Sequence, residues 1–299
     1  MDRKQLFKGY IFIVLSALIF GLMPLMAKFI YADGVNSITL VFLRNFFSLP
    51  LLALLAFCTD KKIKLSAKAL PKTAAIAVMG CCLTPLLLFS SYNYIPSGTA
   101  TIFHFIYPAA VVVCEFLVLK NKLNHGRIIS VVLCVVGIAL FYNPDNAINL
   151  QGSFYALASG MTYAIYIILL STFKHDKGSV FSFSFCVSAI AAVVMFTVCI
   201  VTGQLALPSS AAGWILVIFF AFAINAGAVA LFQKGTFLIG GSRASILSTF
   251  EPITSVFAGI IIFHETITPF SVIGTLLVIT AAVLIALYDI KASKEDKKQ

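Results

Sequence analysis

Apolar runs long enough to cross a lipid bilayer recur along almost the whole of this chain, and they leave it few folds. The runs fall at roughly 9–30, 38–58, 72–94, 98–119, 127–143, 152–173, 180–202, 213–236, 243–263 and 268–289. A hydrocarbon core about 30 Å thick takes about 20 helical residues, fewer or more with tilt. Lipid offers no water to pair the backbone of an open strand, so each run is expected to be an α-helix. Turn residues separate them, as in Pro96-Ser97-Gly98, Asn143-Pro144-Asp145-Asn146 and Gly240-Gly241-Ser242. Only 11% of the 299 residues are charged, against about 25% in a soluble domain, so the chain could not clothe a water-facing surface. The expected fold class is an all-α integral membrane protein of ten transmembrane helices.

Basic residues set the expected orientation. With the N-terminus inside, the inner segments hold Arg3, Lys4 and Lys8; Lys61, Lys62, Lys64, Lys68 and Lys72; Lys120, Lys122 and Arg127; Lys174 and Lys177; Arg243; and Lys291, Lys294, Lys297 and Lys298. The outer loops hold none, and the three that are left, Lys28, Arg44 and Lys234, fall within apolar runs. This asymmetry predicts cytoplasmic tails at 1–8 and 291–299, in a multi-pass protein of the plasma membrane. The net charge of +10 therefore marks topology and not a nucleic-acid partner. The first run, from Gly9 to Ala27, exceeds the roughly 7–15 residues of a signal-peptide core and lacks a convincing cleavage site, so it is expected to be retained as a helix.

The chain also resembles itself. Pro252 lies 144 residues after Pro108, and at that offset Ile95, Ala100, Ile102, Val112, Ile129, Leu133 and Leu140 match Ile239, Ala244, Ile246, Val256, Ile273, Leu277 and Leu284. Gly9 and Ser16 match Gly152 and Ser159 at an offset of 143. The expected domains are two five-helix repeats, 9–143 and 152–290. Five is odd, so the repeats must be inverted relative to each other, an arrangement that lets one bundle rock against the other.

Several stretches resemble a known family: the repeat openings Gly9 to Pro24 and Gly152 to Tyr166; Tyr94-Ile-Pro-Ser-Gly-Thr-Ala-Thr-Ile-Phe-His-Phe-Ile-Tyr-Pro108; and Ser242-Arg-Ala-Ser-Ile-Leu-Ser-Thr-Phe-Glu-Pro252, leading on to Phe263-His-Glu265 and Gly274. They are similar to the drug/metabolite transporter superfamily and, within it, to the EamA-type ten-helix branch. The likeness spans nearly the whole chain. It departs at Asn121, where the family commonly has a Glu after the fourth helix, as Glu265 follows the ninth. The resemblance implies an exporter-like carrier of a metabolite or amino acid, with substrate held between helices 1, 3, 4, 6, 8 and 9.

Ionisable groups within a span are costly and mark candidate sites. Glu251 lies about nine residues into the ninth run, roughly 13 Å along it, and Pro252 weakens the backbone ladder beside it. Ser245, Ser248 and Ser255 share its face. Glu251 either exchanges a proton during transport or holds a distorted helix by hydrogen bonds. Tyr107-Pro108 is the matching position in the first half. His104 precedes it by a turn, and Glu115 lies on the same stripe. The two are a relay or substrate ligands, or Glu115 pairs with Arg127 or a lysine at the inner interface. Arg44 either anchors structure toward the outer side or meets Glu251 or an anionic substrate. Lys28 and Lys234 are expected to snorkel. Tyr163, Tyr166, Asn225 and Asn93 are cavity-lining candidates for an amine and a carboxylate, or belong to interfacial belts and interhelical hydrogen bonds. Pro24, Pro85, Pro108 and Pro252 are the hinge candidates.

No motif for a metal, a cofactor or ATP is present, and His264-Glu265-Thr266-Ile267-Thr268 lacks the second His of HExxH. The seven cysteines all lie in apolar stretches without metal-type spacing. The function expected is non-enzymatic: a secondary carrier of a small metabolite, amino-acid-like or related, exporting by alternating access with protons as a coupling ion. A facilitative or multidrug-type carrier stays open beside it. So do a membrane enzyme and a sensor, although the interfacial acidic cluster or ligand-binding domain each would need is not evident. The expected partners are a small-molecule substrate, membrane lipid and protons, with monomer and homodimer both open.

Overall fold

A computed structural model describes residues 3–60, 68–119, 125–140, 149–173, 180–239, 244, 247, 248, 250–263 and 268–295. Among these the chain is helical outside its turns, with no strand. In order the helices are α1 (Arg3–Ala32), α2 (Ser37–Asp60), α3 (Leu70–Ser91), α4 (Ser97–His104), α5 (Tyr107–Leu119), α6 (His125–Ala139), α7 (Leu150–Ser171), α8 (Val180–Thr202), α9 (Ala211–Ile239), α10 (Phe250–Phe263) and α11 (Pro269–Glu295). Seven stretches among the described residues are long and apolar enough to span a bilayer: those of α1, α2, α3, α7, α8 and α9, and Ser97–Cys114 across α4 and α5. Shorter apolar helices lie at Ile128–Ala139, Phe250–Ile262 and Val272–Ala281.

Burial is distributed as in a membrane protein. Large apolar side chains such as Val193, Ile215, Phe257 and Ile261 face outward, while Ser16, Thr39, Arg44, Asn45, Ser159 and Gln233 are buried. Water would reward the opposite arrangement. The chain is a multi-pass membrane protein.

The main packing partners come from opposite halves of the sequence. Helix α2 lies against α8, α6 against α11, α1 against α9 and α10, and α7 against α3, α4 and α5. Small residues permit the approach. A Cβ on Gly9 would lie 2.4 Å from Cγ2 of Ile239, and one on Gly152 would lie 3.0 Å from Cγ2 of Ile95. Gly9 and Gly152 are repeat-related in sequence, as are Ile95 and Ile239. Gly137 similarly lets α6 approach the carbonyl of Gly274 on α11.

Three local irregularities shape the interior. Both α3 and α9 contain π turns, at Ala77–Leu83 and Phe222–Val229. The apolar run expected at 98–119 is not one continuous helix: it breaks at Phe105 and Ile106 between α4 and α5. Pro108 explains the break, because it has no N–H to give the carbonyl of His104 and its ring crowds the preceding turn. Some boundaries also move. Helix α1 begins at Arg3 and α11 runs to Glu295, so both enter the segments expected as tails.

At one end of the bundle the α1–α2 turn is clasped to the α8–α9 connection. Ser209 donates to a carboxylate oxygen of Asp33 at 3.0 Å, and the backbone N–H of Ser210 donates to the other at 3.2 Å. Ser210 itself caps α9, its hydroxyl accepting from Gly213 N–H at 2.9 Å. Thr39 Oγ1 donates to the carbonyl of Gln204 and accepts from Ala206 N–H, both at 2.9 Å.

Candidate functional site

A cavity of about 500 Å³, counting its open mouth, lies within the bundle. Helices α1, α2, α3, α4, α7, α9 and α10 contribute to its wall. Phe20 and Met23 come from α1, Arg44 from α2, and Gly80 to Leu88 of α3 form one side. His104, Tyr163, Tyr166, Phe232 and Glu251 complete it. The cavity thus draws on both halves of the chain.

An aromatic wall holds much of this surface. Tyr163 stacks on Tyr166 with centroids 5.4 Å apart and meets Tyr107 edge-on at 4.8 Å. It also lies 5.2 Å from His104 and 5.9 Å from Phe232. Such contacts fix ring orientations. Gly80, inside the π turn of α3, makes room for this wall: a Cβ there would fall 2.2 Å from the ring of Tyr166. Tyr166 Oη accepts from Gln233 Nε2 at 3.3 Å, and Ser184 donates to the other end of that amide.

His104 sits where α4 ends. Its Nδ1 lies 2.8 Å from Ser159 Oγ, while Ser159 donates to the carbonyl of Ala156 at 2.6 Å. One hydroxyl has one proton, so this network assigns the Nδ1 hydrogen to the imidazole, directed at Ser159. Nε2 is left available as an acceptor. Gly160 lets α7 approach the break, since a Cβ there would lie 2.4 Å from the His104 carbonyl.

Two groups of opposite formal charge line the cavity without pairing. Arg44 is 3% exposed, and its Nε has no hydrogen-bond partner among the described residues. The ring of Phe89 lies 5.5 Å from its guanidinium carbon. Glu251 is 5% exposed and begins α10 beside Pro252. Pro252 cannot serve the carbonyl of Ser248, which accepts from Glu251 N–H at 2.9 Å instead. Gly21 brings α1 onto this turn: a Cβ there would lie 2.8 Å from the Glu251 carbonyl and 2.4 Å from Thr254 Cβ.

The remaining expected residues fall elsewhere. Tyr107 is fully buried behind the wall, and Ser248 donates to the Ala244 carbonyl at 2.9 Å. Asn225 is committed to Asn45, donating to its side-chain oxygen at 2.8 Å. Asn93 is exposed in the turn after α3, away from the cavity. Lys234 Nζ lies 4.9 Å from the ring centroid of Phe12. The side chain of Glu115, and Ser245 altogether, lie outside the described residues. Among the hinge candidates, Pro85 lines the cavity and Pro24 is buried within a continuous α1.

Asn45 is the functional-region residue that sequence reasoning missed. Its Nδ2 donates to the Cys81 carbonyl at 3.1 Å, the group that Pro85 has no N–H to serve. A polar residue next to Arg44 in an apolar run was the available signal. No cluster of metal-ligating side chains occurs among the described residues.

A family model described as the EamA-like transporter family matches the chain twice, at residues 7–143 and 150–287. The uncharacterized inner membrane transporter YicL of Salmonella typhimurium is 24% identical over 298 residues, covering 94% of this chain and 95% of that protein. An uncharacterized transporter of Haemophilus influenzae is 29% identical over 142 residues, 47% of this chain; the match spans about half of that relative's length, 46%. One solved crystal structure superposes with a TM-score of 0.66 over 98% of this chain and 99% of the other, at 13% identity, a likeness of fold alone.

Proposed function

The chain belongs to the EamA-like transporter family, and from that premise we propose that it is a secondary carrier exporting a small, amino-acid-like metabolite by alternating access. Ten helices would form two inverted five-helix repeats, with both termini cytoplasmic. The doubled family match supports this arrangement, as do two close approaches, of Gly9 on α1 to Ile239 at the end of α9 and of Gly152 on α7 to Ile95 in the turn between α3 and α4.

The observation that carries the proposal is the cavity. Arg44, His104 and Glu251 line one open-mouthed cavity beside an aromatic wall, near the helix break that precedes Pro108 and the first turn of α10, which holds Pro252. Sites of this make-up lie at repeat interfaces of transporters, where broken helices free polar groups for a substrate. In this reading Tyr163 and Tyr166 hold the substrate's apolar part. Glu251 takes up a proton on one side and releases it on the other, with His104 Nε2 as a second acceptor.

Purified protein in liposomes tests both levels. Labelled amino acids should show counterflow, and a proton gradient should drive net accumulation. Glu251→Gln should keep counterflow while flattening its pH dependence. No flux of any solute in the wild type would overturn the carrier reading. An unchanged pH profile in Glu251→Gln would overturn the coupling alone.

A further inference from the structure

We propose that Arg44 is the seat of an anionic group, so that the cavity takes a small organic carboxylate with an apolar or aromatic body. The proposal deepens the carrier reading and rests on it.

The first ground is the state of Arg44. It is buried to within 3%, comes from within α2, and lines the cavity. Among the described residues its Nε lacks a partner and no carboxylate lies within ion-pair distance. A buried charge without a counter-charge is strongly unfavourable. Carboxyl and imidazole groups have neutral forms under such conditions, whereas a guanidinium keeps its proton throughout the physiological range. Of the cavity's titratable groups, Arg44 therefore has the permanent charge and fixes the sign of what complements it. A planar carboxylate matches the guanidinium's forked donors.

The second ground is what Arg44 rests on. Phe89 supports the guanidinium at 5.5 Å. The neighbouring Asn45 is engaged with Val41, Cys81 and Asn225, which pins this part of α2. Arg44 is thus held by its surroundings while its Nε stays unspent among the described residues, as preorganised sites require. The third ground is the rest of the wall. Tyr163, Tyr166 and Phe232 offer ring surface to an apolar or aromatic body, and Thr84, whose hydroxyl lies 2.9 Å from that of Thr162, adds a polar group to the lining.

Binding to the full-length protein in lipid nanodiscs decides the matter. Three probes share one body and differ in one group: 3-phenylpropionate, 3-phenylpropionamide and 3-phenylpropylamine. Wild type should bind the carboxylate at least tenfold more tightly than the amide, and the amine least. Arg44→Gln should lose that preference, weakening the carboxylate about tenfold to a hundredfold while leaving the amide within about twofold. Arg44→Lys, which keeps the charge but not the fork, should retain part of it. Equal binding of carboxylate and amide by wild type, or no binding of the carboxylate, would overturn the proposal even if Arg44→Gln cannot be purified. Carboxylate preference without flux in liposomes would leave the anion seat standing and remove the carrier reading. Flux of solutes with no carboxylate preference would do the reverse.

Discussion

Asn225 Nδ2 donates to Asn45 Oδ1 at 2.8 Å, and Asn45 passes its own amide hydrogens to the carbonyls of Val41 and Cys81. One side chain thereby joins the π turn of α3 to that of α9. Asn225 Oδ1 has no partner among the described residues, so loss of Asn45 would leave the Asn225 amide without its hydrogen bond there. Asn45→Leu should lower stability by about 1–3 kcal/mol, nearer the lower end if membrane hydrogen bonds behave as averaged elsewhere. Asn45→Leu with Asn225→Leu should cost less than the sum of the two, since both partners leave together. Unfolding in mixed micelles measures this, and strict additivity would show that the pair contributes nothing.

Gly21 should be intolerant of even one methyl group. Gly21→Ala sets a Cβ 2.4 Å from Thr254 Cβ and 2.8 Å from the Glu251 carbonyl. Helix α1 must then move away from α10 at the cavity wall. Stability should fall by about 1–3 kcal/mol, and liposome counterflow should drop with it. Unchanged unfolding and flux would mean that α1 and α10 do not cross this closely.

The Asp33 clasp should respond to acid. Hydrogen bonds from Ser210, first through its side chain and then its backbone, with those of Ser209, hold the Asp33 pKa below its ordinary value. A carboxylate with a lower pKa folded than unfolded stabilises the fold fully above the unfolded value, about 3.9. That contribution disappears as pH falls through the lower folded value. The difference in thermal midpoint between wild type and Asp33→Asn should therefore be constant near neutrality and shrink below about pH 4. A difference that grows on acidification would reverse the assignment.

Orientation can be read from two thiols. Cys58 is free and exposed near the end of α2, and Leu207 is 47% exposed in the clasped α8–α9 connection. In right-side-out vesicles an impermeant maleimide should label Leu207→Cys, introduced into a Cys58→Ser background. It should reach native Cys58 only after the membrane is permeabilised. The opposite pattern would invert the topology inferred from the lysines.

The long apolar runs were legible because lipid leaves a backbone few alternatives, and the prolines at 108 and 252 marked where those runs are disturbed. Glu251, His104, Tyr163, Tyr166 and Arg44 stood out as polar or aromatic groups in apolar surroundings, and all five line the cavity. What could not be read was partnership. Asn225 looked like a cavity group, but whether an amide faces a substrate or another amide depends on helix rotation and on a residue 180 positions away. Asn93 falls in a turn because α3 ends at Ser91, and helix ends are poorly marked in a run that stays apolar to its last turn. The π turns were invisible for the same reason: they change the phase of a helix without changing its composition.

That phase change has a consequence for how such a chain can diversify. A π turn takes up roughly one residue more than the α-turn it replaces, and each residue of an α-helix advances about 100°. Deleting one residue within Ala77–Leu83 or Phe222–Val229 would let that turn close as an ordinary α-turn with both ends of the helix still in phase, whereas the same deletion in the regular part of the helix would swing one end by about 100°. Descent could thus add or remove a codon at these two turns and leave the interior contour intact, while changes to that contour come from replacing one side chain with another.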